Sequence, residues 1–152
     1  MSYIGYYGEI FFICSKSYLL SPNRIEREGG SRWNDTDLIG RKPASSFEGP
    51  ALEKIKIEII LDAMHGVDPE SELKRLREIR DKGEVYPFVL NDVPLTQNYW
   101  RLDSLQEKET YFDGEGNLIH CKAEMQLTEY DATNTVEANY NLLQRIFGEI
   151  IR

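Results

Sequence analysis

Between Leu52 and Leu61 the chain sets Ile55, Ile57, Ile59 and Leu61 two apart, with Lys54, Lys56, Glu58 and Ile60 between them. A period of two sends neighbours to opposite sides of an extended chain, so this stretch is predicted to be a strand with one face in the core. The pattern changes after Asp68, where Leu73, Leu76 and Ile79 fall three apart between Asp68-Pro69-Glu70-Ser71-Glu72 and Lys82-Gly83. Asp68 can cap free backbone N–H groups, proline suits the first helical position, and the two glutamates favour the positive end of the helix dipole. Glycine supplies a left-handed stop. A helix over 69–82 follows, its apolar line packed on the Ile55–Leu61 face.

Elsewhere the pattern is shorter. Ile10 to Ile13 and Tyr18-Leu19-Leu20 are predicted strands around a turn at Ser15-Lys16-Ser17. From Pro22 to Pro50, Pro22, Gly29-Gly30, Gly40, Pro43 and Gly49-Pro50 interrupt every candidate period. This segment is expected to be extended pieces and loops, the largest irregular region. Val85 to Leu90 reads as a short strand whose Pro87 places it at an edge or bulge, and Asn91-Asp92 turns the chain. Tyr99–Phe112 and Leu118–Tyr130 are the predicted arms of a hairpin closed by 113–117. In the second arm Ile119, Cys121, Ala123, Met125 and Leu127 share a face; in the first, alternation slips around Asp103 to Leu105, which predicts a bulge. Near the end, Val136, Tyr140, Leu143, Phe147 and Ile150 return to helical spacing. A helix over 135–151 either packs on its own domain or docks on a neighbour through residues such as Phe147 and Ile150. Many strands with one central and one terminal helix give an α+β fold, mostly β: a β-sandwich or open barrel with helices against it, in a single domain over 1–152.

Composition narrows the function. Hydrophobic residues at 41% and charged residues at 29% suit a globular chain, not a disordered one. A formal charge of −8 opposes binding to nucleic-acid phosphates. The apolar run Ile10–Cys14 follows Glu9 and is a poor signal peptide, and no segment approaches the roughly 20 apolar residues of a spanning helix. Synthesis in the cytoplasm with no membrane association is expected. Catalysis would have to draw on Cys14, Cys121, His65, His120 or paired carboxylates, and none forms a recognisable set. His120 and Cys121 adjoin in a strand and so point to opposite faces; Cys14, beside Phe12 and Ile13, is expected to be a buried, inert thiol. Asp113-Gly114-Glu115-Gly116 lacks the further oxygen ligands of a calcium loop. No catalytic, cofactor or metal residue is therefore assigned. Between Arg24 and Lys42 five basic residues (Arg24, Arg27, Arg32, Arg41, Lys42) face four acidic ones (Glu26, Glu28, Asp35, Asp37), a locally basic stretch in an acidic chain. With Gly, Pro and Trp, it suits contact with an acidic surface, including that of its own copies.

The run Ser31-Arg32-Trp33, then Ile39-Gly40-Arg41-Lys42-Pro43-Ala44, Phe47, Gly49 and the alternating strand Ile55 to Leu61, resembles the phage tail protein U family. The later order also fits: a Leu/Arg-rich helix ending at Gly83, a strand, Tyr99-Trp100-Arg101, and a hairpin with Asp113-Gly114 before Glu124-Met125-Gln126-Leu127-Thr128-Glu129-Tyr130. The likeness spans roughly residues 4 to 131. Two features depart from it: the acidic helix start at 69–72, where relatives often carry a glycine-rich turn, and the terminal helix. The resemblance implies a tail-tube-like fold and a structural part of a contractile phage tail or a tail-derived bacteriocin, where the equivalent baseplate part is called the ripcord. It further implies a ring of its own copies, six-fold around the tail axis. Tube or sheath proteins, the baseplate hub and a LysM-type adaptor are the implied neighbours. Arg32, Trp33, Ile39, Arg41, Lys42 and Phe47, with Phe147 and Ile150, are the candidate interface residues. A tail-associated cysteine-dependent hydrolase and a monomeric binding module are the alternatives from other classes.

Overall fold

The computed structural model describes residues 2–15 and 18–131; the helix expected over 135–151, with Phe147 and Ile150, lies outside them. The alternating segment forms a strand, Lys54–Asp62, in which Ile55, Ile57, Ile59 and Leu61 are all at most 2% exposed. Leu118–Tyr130 pairs with it antiparallel, placing Leu127, Met125, Ala123 and Cys121 opposite those four residues. Directly opposed residues of an antiparallel pair point to the same side, so the two strands present one continuous apolar face.

Numbered along the chain, the strands are β1 (Ser2–Tyr7), β2 (Ile10–Cys14), β3 (Leu19–Leu20), β4 (Pro22–Glu28), β5 (Ser31–Leu38), β6 (Arg41–Pro50), β7 (Lys54–Asp62), β8 (Val85–Tyr86), β9 (Phe88–Leu90), β10 (Val93–Pro94), β11 (Tyr99–Phe112) and β12 (Leu118–Tyr130). One antiparallel sheet runs β4-β7-β12-β11-β8 and curls into a half barrel; a second runs β10-β9-β1-β2-β3; among the described residues β5 and β6 pair only with each other. The fold is thus α+β and mostly β, as the pattern predicts.

The helix α1 (Pro69–Lys82) keeps its predicted bounds and buries Leu73, Leu76 and Ile79. Gly83 ends it at φ 68°, its N–H donating to the Ile79 carbonyl. Two details differ from expectation. The Asp68 carboxylate makes no capping bond; its backbone carbonyl instead accepts from Glu72 N–H at 3.2 Å. Glu72, expected only to favour the positive end of the helix dipole, is also buried beside Arg75 at 3.5 Å, and burial pushes its carboxyl up.

The second sheet closes the other part of the core with Tyr7, Ile10, Phe12, Leu20 and Phe88. Tyr7 ties the two sheets together, its hydroxyl donating to the Trp100 carbonyl at 3.0 Å while its ring lies 5.6 Å from Phe88 and 5.9 Å from Tyr86. The single strand expected over 85–90 is two. Pro87 stands where the chain leaves one sheet as β8 and enters the other as β9. A residue with no N–H costs nothing at a position that no ladder uses. Asn91 and Asp92 form the following turn at φ 52° and 61°.

Three further expectations are corrected. The stretch 22–50 is β4 plus the β5–β6 hairpin, not irregular chain. Gly29-Gly30 and Gly40 mark the joints between strands, and register shifts beside Arg32 and beside Thr36 fall at Glu48 and at Lys42-Pro43. Ile119 is 38% exposed because the core ends at Cys121; irregular register between Lys108, Tyr111 and Phe112 brings Leu118 to its rim instead. Cys14 is exposed, being the last residue of β2 and beyond the cover that buries Phe12. The bulge expected near Asp103 is present as the register shift between Leu102 and Ser104.

Ile57→Ala should lower unfolding free energy by about 2–5 kcal/mol, read from chemical denaturation, because it opens a cavity at the centre of the shared face. A cost near zero would show that the face does not hold the fold. Gly5→Ala tests the other sheet. A Cβ there would lie 2.0 Å from the Val89 carbonyl oxygen, a backbone atom that cannot swing aside. The substitution should loosen β1 from β9 and speed hydrogen exchange at Asn91 N–H, which donates to the Ile4 carbonyl, at a cost of about 1–3 kcal/mol.

Candidate functional site

The β5–β6 hairpin carries six of the candidate interface residues. Every residue from Ser31 to Pro50 is exposed except Gly49, which is half-buried, so the hairpin stands off the body as an arm. With 8 residues in β5, it reaches roughly 26 Å at about 3.3 Å per residue. Its root is fastened by a set of bonds: Ala51 N–H to the Gly30 carbonyl at 3.0 Å, Glu129 N–H to the Glu53 carbonyl at 2.8 Å, and Arg27 to the Glu53 carboxylate at 2.5 Å. Asn98 adds a bond to Glu129 at 2.9 Å.

Along the arm the candidates divide into two groups. Trp33 and Phe47 are direct partners across the strands, their rings 5.0 Å apart and 59% and 58% exposed. The shift beside Arg32 puts Glu48 out of line and so places both rings on one face. Arg32 sits at the root and donates to the Glu48 carbonyl at 2.8 Å, which leaves less of it to meet a partner. Ile39 is fully exposed at the tip, where Gly40 takes φ 70° to turn the chain, and Arg41 and Lys42 follow at once. Leu38, 45% exposed beside the tip, belongs to the same surface and was not singled out in the sequence. It lies one residue before Ile39, and that adjacency of two aliphatic residues before a glycine was the available signal.

Exposed apolar groups gathered on one element mark contact sites on soluble proteins. A hairpin of two strands is marginal in water by itself, so an arm of this length gains stability by lying against something other than its own body. Trp and Arg are the residue types enriched at energetic centres of interfaces.

The charged face of the half-barrel sheet behaves differently. Lys56 and Lys108 reach opposite oxygens of buried Glu124 at 2.8 and 2.5 Å, and Lys122 lies 3.7 Å from Glu58. These charges are satisfied within the chain. Hydrogen bonds from Lys108 and then Lys56 hold the Glu124 carboxyl below the usual range. Its folded value is depressed, so the contribution to stability is present above the unfolded carboxylate range, about pH 4.3, and is lost as pH falls through the folded value. Glu124→Gln should therefore be less stable than wild type at pH 7, the difference shrinking below about pH 4 in denaturation series. A gap that does not change with pH would remove Glu124 from the acid response.

The catalytic candidates do not converge. Cys121 is buried, accepting from Thr110 Oγ1 at 3.9 Å, and burial pushes its thiol up. His120 turns the other way, its Nδ1 3.1 Å from Asp62 Oδ2 and its ring 5.5 Å from Tyr111. Among the described residues no group of three or more His, Cys, Asp or Glu gathers as metal ligands would.

The sequence profile of the family described as Phage P2 GpU fits residues 10–132, most of the chain. The fit takes in the arm, the half-barrel sheet and α1. No curated protein matches the chain.

Proposed function

The chain belongs to the Phage P2 GpU family of phage tail structural proteins, and on that premise we propose that it forms a ring at the junction of baseplate and tube in a contractile tail or phage-tail-like particle, where it is needed for assembly. The ring is a homo-hexamer in this reading, and the neighbours are tube or sheath proteins, the baseplate hub and a LysM-type adaptor. It is incorporated into the particle as a ripcord-type part with no catalytic role.

The observation that carries the proposal is the arm. A structural part of a tail must join other chains, and the β5–β6 hairpin offers Trp33, Phe47, Ile39, Arg41 and Lys42 on an element that contributes nothing to its own core. A cysteine-dependent hydrolase gains no support from the arrangement: Cys121 is buried with His120 facing away from it, and Cys14, though exposed, has no histidine partner among the described residues. A monomeric binding module differs from a ring component in solution mass at high concentration, which sedimentation reads directly.

Trp33→Ala combined with Arg41→Ala should fold as wild type, with stability changed by no more than roughly 0.5 kcal/mol, as for exposed sites. Incorporation into tails, scored by electron microscopy, should fall sharply, as it does when Trp and Arg anchors are removed from an interface. Folding is checked by circular dichroism. Normal entry of the folded double variant into tails would overturn the assignment of the arm.

A further inference from the structure

A second exposed apolar group lies at the other end of the half-barrel sheet. At the closed end of the β11–β12 hairpin Tyr111, Phe112 and Ile119 are 59%, 60% and 38% exposed. Met64, 92% exposed, sits in the turn that follows β7. Register brings them to the same end, because Asp62 at the end of β7 pairs with His120 and Met64 N–H donates to the Asp62 carboxylate at 2.8 Å. None of these residues takes part in the core, and the sequence pattern singled out none of them as a contact.

We propose that this end is the docking site for the β5–β6 arm of a second copy of the chain. The inference rests on the arm being an interface and names what it meets. Charge favours the pairing. The hairpin end carries Asp113 and Glu115, with Glu109 already 3.6 Å from Lys122, while the arm's tip carries Arg41 and Lys42 beside Ile39, against Asp37 alone. Asp113 is held in place by Glu115 and Asn117 N–H groups at 2.8 and 2.9 Å, which fixes the acidic turn. Apolar side chains therefore stand beside opposite charges on the two surfaces, the combination that gives an interface both area and register.

Exposure makes the contact intermolecular. The arm's root lies at the Lys54 end of β7, roughly 30 Å from the acidic end along the 9 residues of that strand. Both groups remain exposed in the single chain, so neither covers the other there. A contact between two different patches of identical chains is heterologous; repeated with a closing rotation it gives a ring, and otherwise a filament.

The test uses the full chain with a photo-crosslinking amino acid replacing Ile39, mixed with isotope-labelled wild type at high concentration. Cross-linked peptides should join position 39 of one copy to 109–120 or 62–65 of the other. Arg41→Glu and Glu115→Lys should each weaken self-association, read by sedimentation, by about tenfold or more, and mixing the two variants should restore it in part. No cross-link to these segments, or charge reversals that leave association unchanged, would overturn the inference. Tail incorporation separates the two readings. If Arg41→Glu blocks it while Glu115→Lys and Phe112→Ser do not, the arm stays an interface but binds another tail protein, and the self-docking inference falls; if none blocks it, both fall.

Discussion

Everything in the body of this protein hangs on one face of two paired strands. Ile55, Ile57, Ile59 and Leu61 of β7 lie opposite Leu127, Met125, Ala123 and Cys121 of β12, and a shift of one residue in their register would turn that whole set towards water. Both covers need this face. α1 brings Leu73, Leu76 and Ile79 to it, and the second sheet brings Tyr7, Phe12, Leu20 and Phe88 into the same core. Burial at about 25 cal/mol per Å² makes such a face the largest stabilising term available to a chain of this size. The hydrogen bond of Tyr7 to the Trp100 carbonyl adds direction, since apolar burial alone would let the two sheets slide.

The limits of that face explain what could be read in the sequence. Where a strand or helix buries one side, the residues had to alternate or recur, and β7, α1, β11 and β12 were legible to within a residue or two. Where no side is buried, nothing imposes a period. The β5–β6 hairpin has no apolar alternation because neither of its faces meets the core, and its glycines and prolines read as loops in the pattern although they mark joints and register shifts. Ile119 misled for a related reason: the alternation of β12 continues past the point where the core stops. Cys14 shows the same effect at the end of β2. In each case the sequence holds local periodicity, and the extent of the cover is a tertiary property.

The candidate site was legible through different signals. Basic residues clustered in an acidic chain, Trp33 and Phe47 in a segment without a core pattern, and the family likeness of 31–49 all pointed to the arm. That Trp33 and Phe47 are cross-strand partners was not visible, because it depends on Glu48 being left out of register. The aromatic pair at Tyr111-Phe112 was read as part of a strand, and only the three-dimensional end of the sheet shows that none of the described residues covers it.

The division between body and arm also bears on why the arm can keep exposed rings. Its root is tied by Arg27–Glu53 and by the backbone bonds around Ala51 and Glu129, so the entropy of placing it is largely spent when the body folds. A partner that meets a preformed hairpin loses less freedom on binding than one that must order a loose loop. The charged outer face, with Glu124 held by two lysines, has its charges already matched and offers a newcomer little. Attraction is thereby concentrated where the described residues leave apolar and basic groups exposed, and an arm that carries them away from its own core favours joining chains over folding back on itself.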